Sequence, residues 1–184
     1  MNYIVSGIER SGTSMMMQVL YMGGAKVAFD KSRAPDYHNP KGYYELEGGK
    51  IINRLMEGTF PFEKYDGMFV KITAYGLKFL PPGRYKIIYM MRDIDEIMDS
   101  MEKMSGPIDR EKEKPVFEKL NAFSLKLMEE RDDIDYIKIN YRDVIKDPVG
   151  EIKKINDFLG GMLNVEEAAQ AVDPTLYRNI KKKE

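Results

Sequence analysis

Residues 7–14 read Gly-Ile-Glu-Arg-Ser-Gly-Thr-Ser, and they join a short apolar run at residues 3–5 to a stretch of helical character at residues 13–22. Glycines let a backbone curl so that successive N–H groups face one anion. The start of the following helix adds the positive end of its dipole. The segment nearly matches the P-loop pattern G-x-x-x-x-G-K-[ST]. It therefore predicts a phosphate-binding loop between the first strand and the first helix of an α/β fold.

The loop departs from the ATP-binding pattern at one position. Thr13 stands where kinases and ATPases carry the lysine that neutralises the β and γ phosphates. The only cation of the loop is Arg10, three positions earlier. Such a loop is a poor ATP hydrolase but a plausible cradle for a different anion.

The rest of the chain alternates strand-like and helix-like segments. Strands are predicted at residues 68–72, 85–91 and 134–139, and helices at residues 47–56, 95–104, 115–131 and 149–159. Residues 25–47 are predicted to be mostly loop, and residues 105–114 a mobile surface segment. The alternation favours a P-loop three-layer sandwich with a central, mostly parallel β-sheet flanked by helices. No break in composition marks a second domain, so we expect a single domain over residues 1–184.

Composition excludes several kinds of chemistry. The chain has no cysteine and one histidine, His38, which rules out disulfides, thiolate metal sites, cysteine nucleophiles and multi-histidine metal sites. The net charge of -1 argues against nucleic acid as a main partner. No apolar run is long enough to span a bilayer, and the first strand leaves no room for a signal peptide, so we expect a cytoplasmic protein. The lysines at 181–183 are expected to be a solvated tail.

A family resemblance becomes visible at residues 6–14. The run S-G-I-E-R-S-G-T-S resembles the 5′-phosphosulfate-binding loop of sulfotransferases, in which lysine or arginine precedes S/T-G-T. The donor in that family is 3′-phosphoadenosine 5′-phosphosulfate (PAPS). The resemblance implies that the donor is bound by Gly7, Arg10, Ser11, Gly12, Thr13 and Ser14.

Two further segments resemble the same family, in the same order along the chain. Residues 88–100, I-Y-M-M-R-D-I-D-E-I-M-D-S, are similar to the segment whose arginine and serine hold the 3′-phosphate, which implies that role for Arg92 and Ser100. Residues 140–148 are similar to the family's Y-E-D-L-x-x-D-P stretch, which implies that Tyr141 lies near the adenine. The glycine-rich phosphate motif of the cytosolic enzymes has no counterpart here. We offer Tyr177 and Arg178 as substitutes for it.

The resemblance also suggests where the chemistry takes place. Arg10 and the backbone amides of residues 12–14 would meet the charge that develops on the bridging oxygen, and no divalent metal is expected. Lys71 resembles a family lysine near the sulfate, and Thr73 stands where cytosolic members carry their histidine base.

Carboxylate-using members of the family keep their base in the loop beyond the first helix, where this chain has Asp30, Asp36 and Glu45. We favour Asp30, because residues 30–33 loosely resemble an E-E-T-R stretch of tyrosylprotein sulfotransferases. Glu45 is the second candidate and His38 the third.

The leading hypothesis is a sulfotransferase that moves a sulfuryl group from PAPS to a hydroxyl or amine acceptor and releases 3′-phosphoadenosine 5′-phosphate (PAP). We expect a small molecule or a glycan as the acceptor. Acceptor sites are built from variable loops, so the sequence leaves its identity open. A small-molecule P-loop kinase using Mg-ATP is an alternative, and so is a nucleotide-binding protein without catalytic activity. The sequence leaves the oligomeric state open.

Overall fold

A computed structural model describes residues 1–177, so Arg178 and the lysines at 181–183 lie outside the described part of the chain. Within it, four strands form one sheet in the order β2-β1-β3-β4, and every pair is parallel. The strands are β1 (Asn2–Gly7), β2 (Phe69–Lys71), β3 (Tyr85–Met91) and β4 (Ile134–Asn140). Parallel strands present their carboxyl ends at one edge, so the segments that follow β1, β3 and β4 meet there.

Helices lie on both faces of the sheet. They are α1 (Thr13–Met22), α2 (Ile51–Met56), α3 (Ile94–Ser105), α4 (Arg110–Glu130), α5 (Tyr141–Lys146), α6 (Pro148–Leu159) and α7 (Val165–Ala169). Successive side chains of a strand point to opposite faces. Val5 accordingly packs in one core with α1 and α6, whereas Ile4 packs in a second core with α2 and α3. This three-layer arrangement confirms the predicted fold class, with a sheet that is parallel throughout the described residues.

Met16 and Met17 are fully buried in the first core, as expected for methionines on a helix that packs against a sheet. The buried face of α1 therefore holds the loop before it against the carboxyl edge of the sheet. None of the helices within residues 1–177 combines the length and apolar character that crossing a lipid bilayer requires.

The structure corrects several predicted boundaries. The helix predicted from Pro115 begins at Arg110, where Asp109 accepts a hydrogen bond from the Lys112 N–H, so the proline lies inside the helix. The predicted mobile segment at residues 105–114 is therefore wrong over its second half. The helix predicted at residues 47–56 is interrupted, because residues 47–49 form a 3-10 turn in which Gly48 adopts a φ of 60°, and α2 begins only at Ile51. The helices α5 and α7 were not predicted.

Candidate functional site

The loop between β1 and α1 depends on two glycines with positive φ. Gly7 has a φ of 151°, and a Cβ there would lie 2.4 Å from Ser11 Oγ and 2.7 Å from the carbonyl oxygen of Met90. Gly12 has a φ of 105°, and a Cβ there would lie 2.4 Å from Cδ2 of Tyr141. The loop can therefore sit this close to β3 and to the Tyr141 ring only because both positions lack a side chain.

Gly12 also stands at the start of α1, and within the described chain no side chain caps this helix start. The first backbone N–H groups of a helix have no intrahelical partner. Thr13 and Ser14, which begin α1, lie at the wall of a cavity. This end of α1 thus presents N–H groups, hydroxyls and the positive end of a helix dipole to the cavity.

Arg10 adopts a left-handed conformation, with a φ of 66°, which is unusual for a residue with a side chain. Its Nε donates a hydrogen bond of 2.9 Å to Ser100 Oγ on α3, and one of its terminal nitrogens lies 3.4 Å from the carbonyl oxygen of His38. Arg10 makes no ion pair with any residue between 1 and 177. Burial lowers the pKa of this guanidinium and nearby Arg92 adds to the effect, whereas Tyr43 and Asp36 oppose it.

Arg92 follows the end of β3 and connects the loop to α3 and α5. It donates a hydrogen bond of 3.0 Å to the backbone carbonyl of Arg10, and its guanidinium lies 4.5 Å from the centroid of the Tyr141 ring. Its Nε lies 3.2 Å from a carboxylate oxygen of Glu96. The side chain is 8% exposed, so its orientation is fixed by contacts on several sides.

Glu96 is a buried carboxylate behind this arginine, and its side chain is 1% exposed. Besides Arg92 it accepts a hydrogen bond of 2.6 Å from Arg142 of α5 and bonds of 2.9 and 3.0 Å from the Tyr177 hydroxyl. A buried charge is tolerated when it is paired and hydrogen-bonded in this way. Glu96 therefore ties α3, α5 and the segment at Tyr177 together beneath the site.

A cavity of about 450 Å³ opens where these groups meet. Seven of the nine residues predicted to bind the donor line it: Arg10, Gly12, Thr13, Ser14, Arg92, Ser100 and Tyr141. The other two, Gly7 and Ser11, belong to the same loop but do not line the cavity, and Ser11 Oγ is buried without a hydrogen-bond partner within residues 1–177. The three sequence segments thus converge on one cavity, although up to about 130 residues separate them along the chain.

The family model for the sulfotransferase domain matches residues 2–184. The chain belongs to this family. The match confirms the resemblance seen in the three segments, and it gives no support to the kinase alternative.

Solved structures share the fold of this sulfotransferase domain. Retinol dehydratase, in complex with androsterone and the inactive cofactor PAP, is 17% identical with a TM-score of 0.54, over 93% of this chain and 63% of that one. The sulfotransferase domain of the Synechococcus PCC 7002 olefin synthase is 16% identical with a TM-score of 0.54, over 98% of this chain and 88% of that one. The chain therefore spans less than two thirds of the retinol dehydratase chain. Among curated proteins no sequence matches significantly.

A second buried ion pair lies on the other side of Ser14 in this sulfotransferase domain. Lys71, at the end of β2, lies 2.8 Å from a carboxylate oxygen of Glu45 and donates hydrogen bonds to Ser14 Oγ at 3.2 Å and to the carbonyl oxygen of Tyr43 at 2.5 Å. Glu45 also accepts from Arg33 at 3.3 Å. Burial lowers the pKa of Lys71, although Glu45 partly opposes that effect. Of the predicted catalytic residues, Glu45 and Lys71 are thus brought together next to the loop.

Glu45 lines a second, smaller pocket together with Lys71, and the first cavity is lined neither by Glu45 nor by Asp30, the favoured base. Its exposed carboxylate accepts hydrogen bonds from the backbone N–H groups of Ser32 and Glu47 and from the Ser32 hydroxyl. Those bonds, led by the one from Glu47, lower the pKa of Asp30. In the structure the Asp30 carboxylate therefore stabilises a turn. His38, by contrast, lines the cavity.

Several residues that build the site were not predicted from the sequence. Glu96 lies four positions after Arg92, a spacing that signals a helical ion pair but not a buried centre. Its partners Arg142 and Tyr177 lie 46 and 81 positions further along the chain, and no local pattern links either of them to Glu96. Tyr177 was offered as a substitute for the missing C-terminal motif, and it contacts Arg142 and the edge of the Tyr141 ring. Arg178, offered with it, lies outside the described residues.

Within residues 1–177 no group of three or more histidine or acidic side chains is arranged to hold a metal ion. The expectation of chemistry without a metal stays a prediction.

Proposed function

We propose that this sulfotransferase domain transfers a sulfuryl group from PAPS to a hydroxyl or amine acceptor and releases PAP. The observation that carries the proposal is the meeting of the start of α1, Arg10, Arg92, Ser100 and Tyr141 at one cavity. Guanidinium groups and a hydroxyl suit phosphate oxygens, and an aromatic ring suits a base. Family membership sets the reaction class, and the related retinol dehydratase was solved with PAP.

The residues present fit such a donor. Arg10 is half-buried and makes no ion pair with any carboxylate among the described residues, which favours an anion beside it. The uncapped start of α1 offers a second place for negative charge at Thr13 and Ser14. The cavity thus has two positively charged regions for the two phosphate-bearing ends of one nucleotide.

The reacting end of the site is proposed to lie at Ser14. Lys71 donates to Ser14 Oγ, which leaves the hydrogen of that hydroxyl free to donate into the cavity. When bound, PAPS supplies a sulfur that bonds to the acceptor oxygen or nitrogen while its bond to the 5′-phosphate oxygen breaks and the electron pair stays on that phosphate. The N–H groups of α1, the Ser14 hydroxyl and the cationic Lys71 would stabilise this negative charge.

The acceptor must lose a proton as its bond to sulfur forms. We propose Glu45 as the base, because it is the carboxylate joined through Lys71 to the loop, at 2.8 and 3.2 Å. His38 lines the cavity and is the second candidate. Asp30 remains a sequence-based candidate whose carboxylate is engaged by backbone N–H groups.

The acceptor is proposed to be a small molecule or a glycan that approaches along residues 37–40, which form one wall of the cavity. The retinol dehydratase structure contains androsterone, a small-molecule example in a related fold. We further propose a cytoplasmic location, which the cysteine-free sequence fits. We also propose that residues 1–184 act as one domain, since residues from near both ends of the described chain line the cavity.

Calorimetric titration tests the donor site. The native protein is titrated with PAP and, separately, with magnesium-ATP, and both titrations are repeated on Arg92→Ala and on Arg54→Ala. Arg54 is a surface arginine whose side chain is 40% exposed and which pairs with Glu47. We expect micromolar PAP binding in the native protein and in Arg54→Ala, a loss of at least 10-fold in Arg92→Ala, and weak ATP binding throughout.

Turnover separates the remaining alternatives. Turnover of PAPS is measured through the release of PAP, with a panel of phenols, steroids, amines and sugars as acceptors. Tight magnesium-ATP binding without a preference for PAP would instead support a kinase. PAP binding without transfer to any acceptor would support a non-catalytic nucleotide-binding protein.

A further inference from the structure

Two segments that are far apart in sequence both line the cavity. The first is the wall loop, residues 36–41, which contributes residues 37–40. The second is the strap, residues 171–177, which contributes three lining residues: Ala171, Asp173 and Leu176. About 130 residues separate the two segments along the chain, so a direct contact between them closes one edge of the cavity.

Lys41, the last residue of the wall loop, makes that contact. Its Nζ donates a hydrogen bond of 2.9 Å to the carbonyl oxygen of Ala171 and lies 3.7 Å from a carboxylate oxygen of Asp173. Lys41 is not among the residues that line the cavity. The contact therefore joins the two segments without entering the space that a ligand would fill.

The strap is the fixed partner in this contact. The helix α7 before it packs against α1 and α6, with Ala168 buried in the first core. At its other end the Tyr177 hydroxyl donates to the buried carboxylate of Glu96. Asp173 is itself held in place, because its carboxylate accepts hydrogen bonds from the backbone N–H and the hydroxyl of Thr175, at 3.0 and 2.6 Å.

The wall loop is rigid within itself. The Asp36 carboxylate accepts hydrogen bonds from the backbone N–H groups of His38 and Asn39, at 2.8 and 2.9 Å. The same carboxylate accepts from the Tyr43 hydroxyl at 2.7 Å. These bonds keep the shape of the loop, so any movement of it takes place at its ends.

The backbone turns sharply just after the wall loop. Gly42 has a φ of 92° and Tyr44 a φ of 49°, which is unusual for a residue with a side chain. Backbone of this kind is concentrated at ligand clamps and switch regions. The carbonyl oxygen of Gly42 accepts a hydrogen bond of 3.0 Å from Gln18 of α1, which fixes the base of the loop. Residues 42–44 therefore give the wall loop a pivot.

The contact at Lys41 is weak compared with the one that holds the end of the strap. The side chains of Lys41 and Asp173 are 37% and 33% exposed, and solvent screens such a pair. Glu96, which receives Tyr177, is 1% exposed. Breaking the Lys41 contact therefore costs less than detaching the strap.

We infer that Lys41 is a latch that holds the wall loop on the strap, and that its release sets the rates at which the nucleotide enters and PAP leaves. This inference rests on the proposed function, since it concerns the passage of the same nucleotide. Because Lys41 contacts the strap and not the cavity, the latch stabilises the closed loop equally with and without nucleotide. Loss of the latch therefore speeds entry and exit by the same factor and leaves the equilibrium affinity unchanged.

The test measures the association and dissociation rate constants of PAP on the immobilised protein by surface plasmon resonance. Lys41→Met removes the charge and the donor at nearly the same side-chain length. We expect both rate constants to rise about 3- to 10-fold, the range for one hydrogen bond, and Kd to stay within about 2-fold. The loss of a positive charge by itself slows the approach of an anion, so it does not account for faster association.

Two lysine variants serve as controls. Lys114 pairs with Asp95 at 2.8 Å, its side chain is 41% exposed and it does not line the cavity. Lys114→Met therefore makes the same change of charge in a similar ion pair, and it should raise neither rate constant. Lys41→Arg keeps the charge and a donor, so both of its rate constants should stay within about 2-fold of the native values.

A double-mutant cycle with Asp173→Asn checks the partner of the latch. Asp173→Asn alone should raise both rate constants by less than Lys41→Met does, because the hydrogen bond to Ala171 remains. Added to Lys41→Met it should have no further effect. Circular dichroism and thermal unfolding establish that each variant is folded.

The outcomes separate this inference from the function on which it rests. If the native protein does not bind PAP, the proposed function fails and the inference fails with it. If the native protein binds PAP but Lys41→Met speeds dissociation alone and so weakens Kd, Lys41 stabilises the bound nucleotide and only the latch is overturned. The latch is equally overturned if Lys41→Met leaves both rate constants unchanged.

Discussion

Two buried carboxylates stand on either side of the nucleotide loop, and each is paired with two cations. Glu96, 1% exposed, meets Arg92 and Arg142, whereas Glu45, 8% exposed, meets Lys71 and Arg33. The first carboxylate and both of its cations lie on or next to regular elements, β3, α3 and α5. The second lies in the loop-rich stretch between α1 and α2, as does Arg33.

The difference suggests how the two ends of the site are built. The residues around Glu96 are held by β3, α3 and α5, and such rigid elements suit a site that always binds the same nucleotide. The end around Glu45 depends on a loop, which is where variation in substrate is usually accommodated. We therefore expect changes near Glu96 to affect stability and donor binding first, and changes near Glu45 to affect turnover first.

The largest loss of stability is expected at Glu96. Glu96→Ala leaves Arg92 and Arg142 without their shared carboxylate, and removing one partner of a buried ion pair costs about 3–5 kcal/mol. Urea unfolding followed by circular dichroism measures the change. Glu102→Ala, on the same helix, removes only a surface pair with Arg110 and should unfold like the native protein. Equal stability of the two variants would contradict the role given to Glu96.

The largest loss of turnover is expected at Glu45. A general base contributes about 100- to 10,000-fold, so Glu45→Gln should lower kcat by at least 100-fold. Asp30→Asn should leave kcat within about 3-fold, because the Asp30 carboxylate lies in a turn and accepts backbone N–H bonds. Steady-state kinetics with PAPS and a reporter phenol measure both values. The reverse pattern would restore Asp30 as the base.

A pair of glycines compares the two ends directly. Gly12 and Gly49 both have positive φ, 105° and 84°, but a Cβ at Gly12 would lie 2.4 Å from the Tyr141 ring, whereas one at Gly49 would lie 3.5 Å from the Glu45 carboxyl group. Gly49→Ala therefore carries backbone strain alone, about 1–2 kcal/mol. Gly12→Ala adds overpacking of about 1–3 kcal/mol and should also abolish PAP binding. Thermal unfolding and calorimetry measure these effects, and equal effects of the two substitutions would show that the approach of Tyr141 is not tight.

The smallest expected effect is the change of stability and of turnover with pH that the charge of Lys71 causes. Burial lowers the pKa of Lys71 below its ordinary value of 10.5, so with rising pH the folded chain releases this proton before the unfolded chain does. Between the lowered pKa and 10.5 the unfolded state binds more protons, and this group makes stability rise with pH. Turnover should fall in the same window, because neutral Lys71 no longer stabilises charge at Ser14.

Lys71→Arg tests this pH dependence, because arginine keeps its charge throughout the window. The variant should retain at alkaline pH the kcat that the native protein loses. A native kcat that is constant up to about 10.5 would contradict the assignment.

The features that the sequence predicted are those encoded locally. The strand, glycine loop and helix at residues 2–22 follow from apolar runs and glycine positions, and the placement of Arg92 and Ser100 follows from the spacing of one strand and helix. The network around Glu96 depends on partners 46 and 81 positions away, which no local pattern links. The identity of the base stays a prediction, because loop residues such as Asp30 are placed by backbone hydrogen bonds that the sequence does not reveal.

The contact between Gly12 and Tyr141 also has a consequence for the order in which the protein is made. The loop leaves the ribosome early, but the ring that packs against it is synthesised about 130 residues later. At roughly 5–20 residues per second, the delay is on the order of 6–25 s. During that time the nascent chain contains the nucleotide-binding loop but not the Tyr141 side chain that packs against it. Nucleotide in the cell can therefore stabilise only chains whose synthesis has passed β4, so ligand protection comes at the end of translation rather than guiding its first steps.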